Sequence, residues 1–167
     1  MLINSVAYQQ GNRLRDVPLS ELDGWRREPG CFVWVALKDA EAAEVDHVHD
    51  IFALPDLAVE DTRHGHQRPK FEEYGEVLFV ALHLLDFQGD ELHVGELNIF
   101  VGLDFVASLR SRSDLSFLGV RARCEREPEL LQFGPGFVLY ALMDATVDGY
   151  FPILDRLETE LEAIERR

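Results

Sequence analysis

Val77-Leu-Phe-Val-Ala-Leu-His-Leu-Leu-Asp86 runs into Gln88-Gly-Asp-Glu91 and then Leu92-His-Val-Gly-Glu-Leu-Asn-Ile-Phe-Val101. Two apolar runs of strand length flank a glycine-containing turn, which predicts an antiparallel hairpin from Glu76 to Val101. Gly102 allows a further turn, and Asp104–Arg110 reads as the next strand. Upstream, Lys70–Tyr74 reads as a short strand, so four sequential strands fill the middle of the chain. Cys31-Phe-Val-Trp-Val-Ala-Leu37 follows the breaker pair Pro29-Gly30 and is apolar throughout. Its length and β-forming residues predict a buried central strand. Residues 2–8 predict a strand as well. The turn residues Gly11-Asn12 then allow 13–17 to return as another.

Helices fill the gaps. Pro18 opens a short one through about Arg27. Asp39 is a suitable N-cap for a helix ending near Phe52, with Val45, Val48, Ile51 and Phe52 at helical spacing. Pro55 starts a second, from Asp56 to about Arg63, closed by the turn Arg63-His-Gly-His-Gln-Arg-Pro69. Asp114–Glu127 predicts a helix ended by Pro128. After Gly134-Pro135 a long helix runs from about Phe137 to the last residue. Val147, Phe151, Leu154, Leu157, Leu161 and Ile164 form an apolar stripe along it. Pro152 frees the carbonyl of Asp148 and predicts a kink there. The stripe reaches Arg167 with no capping residue, so the helix is expected to continue as a stalk.

Composition narrows the function. The 167 residues are 47% hydrophobic and 28% charged, which argues against disorder. Asp and Glu number 31 against 16 Lys and Arg, a formal charge of −15. A nucleic-acid binder usually carries a basic face, so none is expected as a partner. Two cysteines, Cys31 and Cys124, make no disulfide framework. The longest apolar stretch, Val77–Leu85, is broken by His83 and far short of the roughly 20 residues of a spanning helix. Met1-Leu-Ile-Asn carries no leader pattern, so the chain is expected to be soluble and intracellular. A phosphate-binding Gly-Lys-Ser/Thr loop, a Gly-x-Ser-x-Gly elbow and a dinucleotide glycine pattern are all missing, which points away from the common enzyme classes.

The candidate site residues are acidic. Glu60 and Asp61 are adjacent, so on a helix they point about 100° apart. Spacing alone fits a solvated acidic pair. Magnesium asks for only one or two carboxylates plus retained waters, so each could also serve an ion at an interface. Asp144 and Asp148 stand four apart among apolar residues and face the same way. A carboxylate in that setting needs a cation, an arginine such as Arg68, or a polar network. His64-Gly-His66 and His47-Val-His49 lack further ligands at a zinc-like spacing. Arg68 and Lys70 put two cations beside the acidic helix, within reach of Glu60, Glu72 or Glu73.

Val59-Glu-Asp61, then His66-Gln-Arg-Pro-Lys-Phe-Glu-Glu-Tyr74, then Gly134-Pro135 and Tyr140-Ala-Leu-Met-Asp-Ala-Thr-Val-Asp-Gly-Tyr-Phe-Pro-Ile-Leu-Asp155 resemble, in order, the CorA family of magnesium and cobalt transporters. The resemblance covers essentially the whole chain. It implies an α+β fold, an α/β/α sandwich with a mixed, largely antiparallel sheet between helix layers. Residues 1–134 would form the cytosolic domain. Residues 135–167 would complete it and begin the stalk. It implies the N-terminal cytosolic part of a pentameric transporter on the inner side of the membrane, reaching the bilayer only through later helices. The chain by itself would be soluble, monomeric or dimeric. Its activity would be divalent-cation sensing rather than catalysis. Magnesium would bind between subunits, with Asp61 as the main ligand and Glu60 and Asp144 in a second site. Thr62-Arg-His-Gly65 departs from the family pattern and leaves cobalt or zinc open as the ion. The zinc-transporting branch of the superfamily is one alternative. A free-standing adaptor domain is another. A metal-dependent enzyme built on Asp144, Asp148 and the histidines is a third, and it requires a pocket that gathers them.

Overall fold

The computed structural model describes residues 1–167. In chain order it holds β1 (Leu2–Gln9), β2 (Asn12–Asp16), a turn of 3-10 helix (Leu19–Glu21), α1 (Leu22–Arg26), β3 (Cys31–Lys38), α2 (Ala42–Phe52) and α3 (Asp56–His64). There follow β4 (Lys70–Tyr74), β5 (Val77–Gln88), β6 (Glu91–Val101), β7 (Phe105–Ser111), α4 (Leu118–Arg126), α5 (Pro128–Leu131), α6 (Pro135–Asp148) and α7 (Tyr150–Glu165). One seven-stranded sheet runs in the order β2-β1-β3-β7-β6-β5-β4. Only the β3–β7 pair is parallel. The predicted hairpin is present, with Gln88 opposite Glu91 and Gly89-Asp90 as the turn.

Strand side chains alternate between faces, so the sheet has two apolar sides. Val6, Tyr8, Trp34, Leu97, Ile99 and Val106 pack against Val120 and Cys124 of α4, Leu131 of α5, and Val138, Ala141 and Leu142 of α6. On the other side Ala7, Val33, Val35, Phe79, Phe100 and Ala107 meet Leu22 of α1, Val45, Val48 and Phe52 of α2, and Ala58 and Val59 of α3. The chain is an α+β protein with helices on both faces of a mixed, mostly antiparallel sheet.

Two local expectations change, both at the starts of helices. Asp39 does not cap α2. Its φ is +44°, and its carboxylate accepts the N–H of Arg112 at 3.0 Å, fastening β3 to the end of β7. Glu41 caps α2 instead, in a reciprocal box with Glu44. α4 begins at Leu118, not Asp114. The Ser113 and Ser116 hydroxyls accept the N–H groups of Leu115 and Leu118, and Lys38 holds Asp114 at 3.0 Å, so this segment stays a turn. The long C-terminal helix is interrupted at Gly149, directly after Asp148. That is where the missing N–H of Pro152 leaves a carbonyl free. Taken as one helix, Pro135–Glu165 is long and apolar enough to cross a membrane, contrary to the expectation that no segment qualifies. Much of that apolar character is core: Phe137, Val138, Leu139, Ala141 and Leu142 are buried under the sheet.

Candidate functional site

α3 is amphipathic. Ala58 and Val59 turn inward, which leaves Glu60 at the surface and Asp61 at its margin. β4 runs along the sheet edge beside α3 and brings Lys70 to Asp61. The Lys70 ammonium donates to Asp61 Oδ2 and lies 3.1 Å from Glu72. It also sits 5.6 Å from the centre of the Phe79 ring. The Asp61 hydrogen bond raises the Lys70 pKa. Glu72 in turn accepts the Tyr74 hydroxyl, and that bond and Lys70 hold its carboxyl below the usual range. Asp61 therefore carries one oxygen engaged by Lys70 and one with no partner in the chain. Glu60 makes no side-chain contact of this kind. Its backbone carbonyl interacts with His64 Nδ1 at 3.0 Å.

Asp144 lies on α6, in the helix layer on the opposite face of the sheet from α3. Its partner is Arg123 of α4, at 2.6 Å, and the guanidinium also lies over the Tyr140 ring and 3.5 Å from Glu127. Arg68 does not serve this carboxylate. It is exposed in the loop before β4, whereas α4 packs directly on α6. Asp148, one turn on, is exposed. The three candidate ligands Glu60, Asp61 and Asp144 are thus not brought together within one chain, since the sheet separates the first two from the third.

The histidines are dispersed. His49 Nε2 is 2.8 Å from Asp56, and His83 Nε2 is 2.8 Å from the carbonyl of Gln67. His64 and His66 are exposed, and the left-handed φ of His66 turns the chain towards β4. No group of three or more His, Cys, Asp or Glu side chains is placed to hold a metal ion. The principal clefts do not gather Asp144, Asp148 and the histidines, as a metal enzyme built on them would need. The sequence places Lys70 beside the acidic helix, within reach of Glu60, Glu72 or Glu73, and the structure pairs it with Glu72 and also with Asp61; nothing in the sequence points to Arg123 for Asp144. Each cation comes from a separate element, and only the packing of β4 on α3 and α4 on α6 selects it.

The description "CorA-like Mg2+ transporter protein" belongs to the family whose model matches residues 30–167. YfjQ of Bacillus subtilis (strain 168) is 31% identical over 153 residues, which cover 91% of this chain and 46% of that protein. The cobalt/magnesium transport protein CorA of Thermotoga maritima is 24% identical over 143 residues, 83% of this chain and 41% of its own length. The full-length CmaX structure superimposes with a TM-score of 0.74 over 98% of this chain and 50% of that one, at 19% identity. The soluble domain of CorA from Methanocaldococcus jannaschii gives a TM-score of 0.63 over 98% of this chain and 65% of that one, at 18% identity. The chain spans less than half the length of these two curated relatives. With the family model covering all but the first two strands and α1, and the sandwich shared with these structures, the chain belongs to the CorA-like magnesium transporter family.

Proposed function

We propose that this chain is the cytosolic, divalent-cation-sensing part of a CorA-like transporter. Residues 135–167 are its passage into the stalk. Magnesium is the regulatory ion, held between subunits of a homo-oligomer, pentameric in the whole protein. Asp61 is the main ligand of one site, and Glu60 and Asp144 belong to a second, each site being only half supplied by one chain. The observation that carries this reading is the exposure of Glu60 and the unpartnered second oxygen of half-buried Asp61 on an outer helix, with Asp144 beyond the sheet. The three residues are not gathered within one chain, so this reading takes the remaining ligands from another copy. Across such an interface unpaired carboxylates repel, and a divalent ion converts repulsion into a bridge. An ion bound in that way stabilises the closed assembly because it binds that state better than the open one. Lys70 is then a competitor that neutralises Asp61 when the ion is absent.

The test is limited proteolysis of the full-length protein with and without millimolar magnesium. Magnesium is expected to protect, and Asp61→Ala to lose most of that protection. Equal protection in the variant removes Asp61 from the site. Cobalt and zinc run in parallel, and protection by zinc at concentrations where magnesium gives none favours the zinc-transporting branch.

A further inference from the structure

We propose that the crevice at the carboxyl ends of β3 and β7 binds a small carboxylate with an apolar, ring-sized body. β3 and β7 are the one parallel pair in the sheet. From the end of β3 the chain crosses to α2 on one face, and from the end of β7 to α4 on the other. Two adjacent parallel strands whose connections leave in opposite directions open a crevice between them, the position where open α/β sheets bind ligands.

The crevice here is a cleft of about 180 Å³ between the ends of β1, β3 and β7 and the start of α4. A dry apolar cavity of roughly 150 Å³ suffices for a benzene ring, so the body of the ligand is of that size. Trp34, Leu97 and Phe117 supply apolar wall. The indole N–H of Trp34 is already spent on Ser108 Oγ at 3.1 Å, which leaves the ring to act as surface.

The polar lining has one sign. Arg110, Arg121 and Asn4 line the cleft, and no carboxylate does, in a chain whose formal charge is −15. Arg121 is committed to Glu125 at 2.8 Å, to Asp16 at 3.2 Å and to the Asn4 side-chain oxygen. That last bond fixes the Asn4 amide so that Nδ2 is the outstanding donor. Asn4 is 93% buried, and Nδ2 has no partner. Arg110 Nη1 is also buried without a partner. Its nearest carboxylates are otherwise engaged: Asp39 by the Arg112 N–H and Asp114 by Lys38. Its guanidinium rests over the Phe117 ring, 5.9 Å from the centre. Burial lowers the Arg110 pKa, the direction expected of a cation held away from water without a bonded anion. Buried donors without acceptors are costly. A carboxylate seated beside Asn4 and Arg110 would offer acceptors to donors of this kind, and Arg is the side chain best shaped to take it.

Trp34 makes the test direct. Its indole N–H resonance reports from the cleft, and that of Trp25, packed against the opposite core, is an internal control. Benzoate at millimolar concentration is expected to move the Trp34 resonance to saturation and leave Trp25 in place. Benzamide, of the same shape without the charge, is expected to bind at least about tenfold more weakly, a difference of about 1.4 kcal/mol. Arg110→Gln is expected to weaken benzoate by a similar factor. No movement with benzoate overturns the proposal, and so does equal binding of benzamide. Inorganic phosphate acting as well as benzoate removes the apolar half of it. Should Arg110→Gln fail to fold, the benzoate–benzamide pair on the unaltered chain still decides.

Discussion

Cys124 shows how a single side chain sets a limit on the molecule. It sits on the inner face of α4, fully buried against the sheet. Burial pushes its thiol up to about 11 from an ordinary value of 9.0. Nearby, the buried Tyr8 hydroxyl donates to Glu125 at 2.9 Å, and burial together with that carboxylate raises its pKa too. Both groups are neutral in the fold and ionise more readily once it opens. For a group whose folded pKa is raised, the contribution to stability is complete below the unfolded value and declines as pH climbs towards the folded one. Stability is therefore expected to be flat up to about pH 9 and to fall between about pH 9 and 11. Cys124 contributes a loss of about 2–3 kcal/mol over that range at 1.36 kcal/mol per pKa unit. Urea unfolding at several pH values, compared with Cys124→Ala, isolates the thiol. The variant starts lower at neutral pH because of the small cavity, but its alkaline slope is expected to be shallower. Parallel slopes would mean that the thiol reaches water.

Among the elements, the joint between α6 and α7 is the one whose cost depends on its placement. A proline inside an unbroken helix costs about 3 kcal/mol. Here Gly149 interrupts the helix, so Pro152 is the third residue of α7, where an N–H has no partner within the helix. The Gly149 N–H still reaches the Ala145 carbonyl at 3.1 Å, so the break is confined. α7 is then held by few contacts. Ile153 is its one buried residue, Tyr150 donates to the His83 carbonyl, and Arg156 stacks on Phe87 and donates to Gly89 and Asp90 of the hairpin turn. Pro152→Ala is accordingly expected to change unfolding free energy by less than about 1 kcal/mol in urea, not by the ~3 kcal/mol of an interior proline. A gain of the larger size would mean that α6 and α7 fuse into one straight helix when the proline is removed. The same joint marks what was legible in the sequence. The strands, the hairpin turn and the Pro152 break rest on neighbours within a few residues, and each was readable from apolar runs and breakers. Asp39 misled because its fitness as a cap is local, whereas its use by Arg112 is tertiary. The parallel pairing of β3 with β7 joins segments about seventy residues apart and has no local mark. Glu60, Asp61 and Asp144 stand out in the sequence as an adjacent acidic pair and a carboxylate among apolar residues, but only the family resemblance gives them roles as metal ligands. The ion pairs that hold Asp61 and Asp144 emerge only when separate elements pack.

At the scale of the whole molecule, charge and exposed apolar surface oppose each other. The −15 charge keeps copies apart. Val147, Phe151, Leu154, Leu157, Leu161 and Ile164 are all exposed along one line of α6 and α7, and burying such a stripe favours association. Added salt weakens the repulsion without any specific site, since screening shortens the reach of surface charge to about 10 Å at 0.1 M. Magnesium chloride does that too, so association in magnesium alone says little about sensing. The informative comparison holds ionic strength constant. If Glu60 and Asp61 are half-sites, sedimentation is expected to show larger species in millimolar magnesium than in sodium chloride of equal ionic strength. Glu60→Ala combined with Asp61→Ala should abolish that excess and leave the sodium baseline little changed. Association that follows ionic strength whatever the cation would assign assembly to the apolar stripe and to charge screening, and would remove the acidic pair from it.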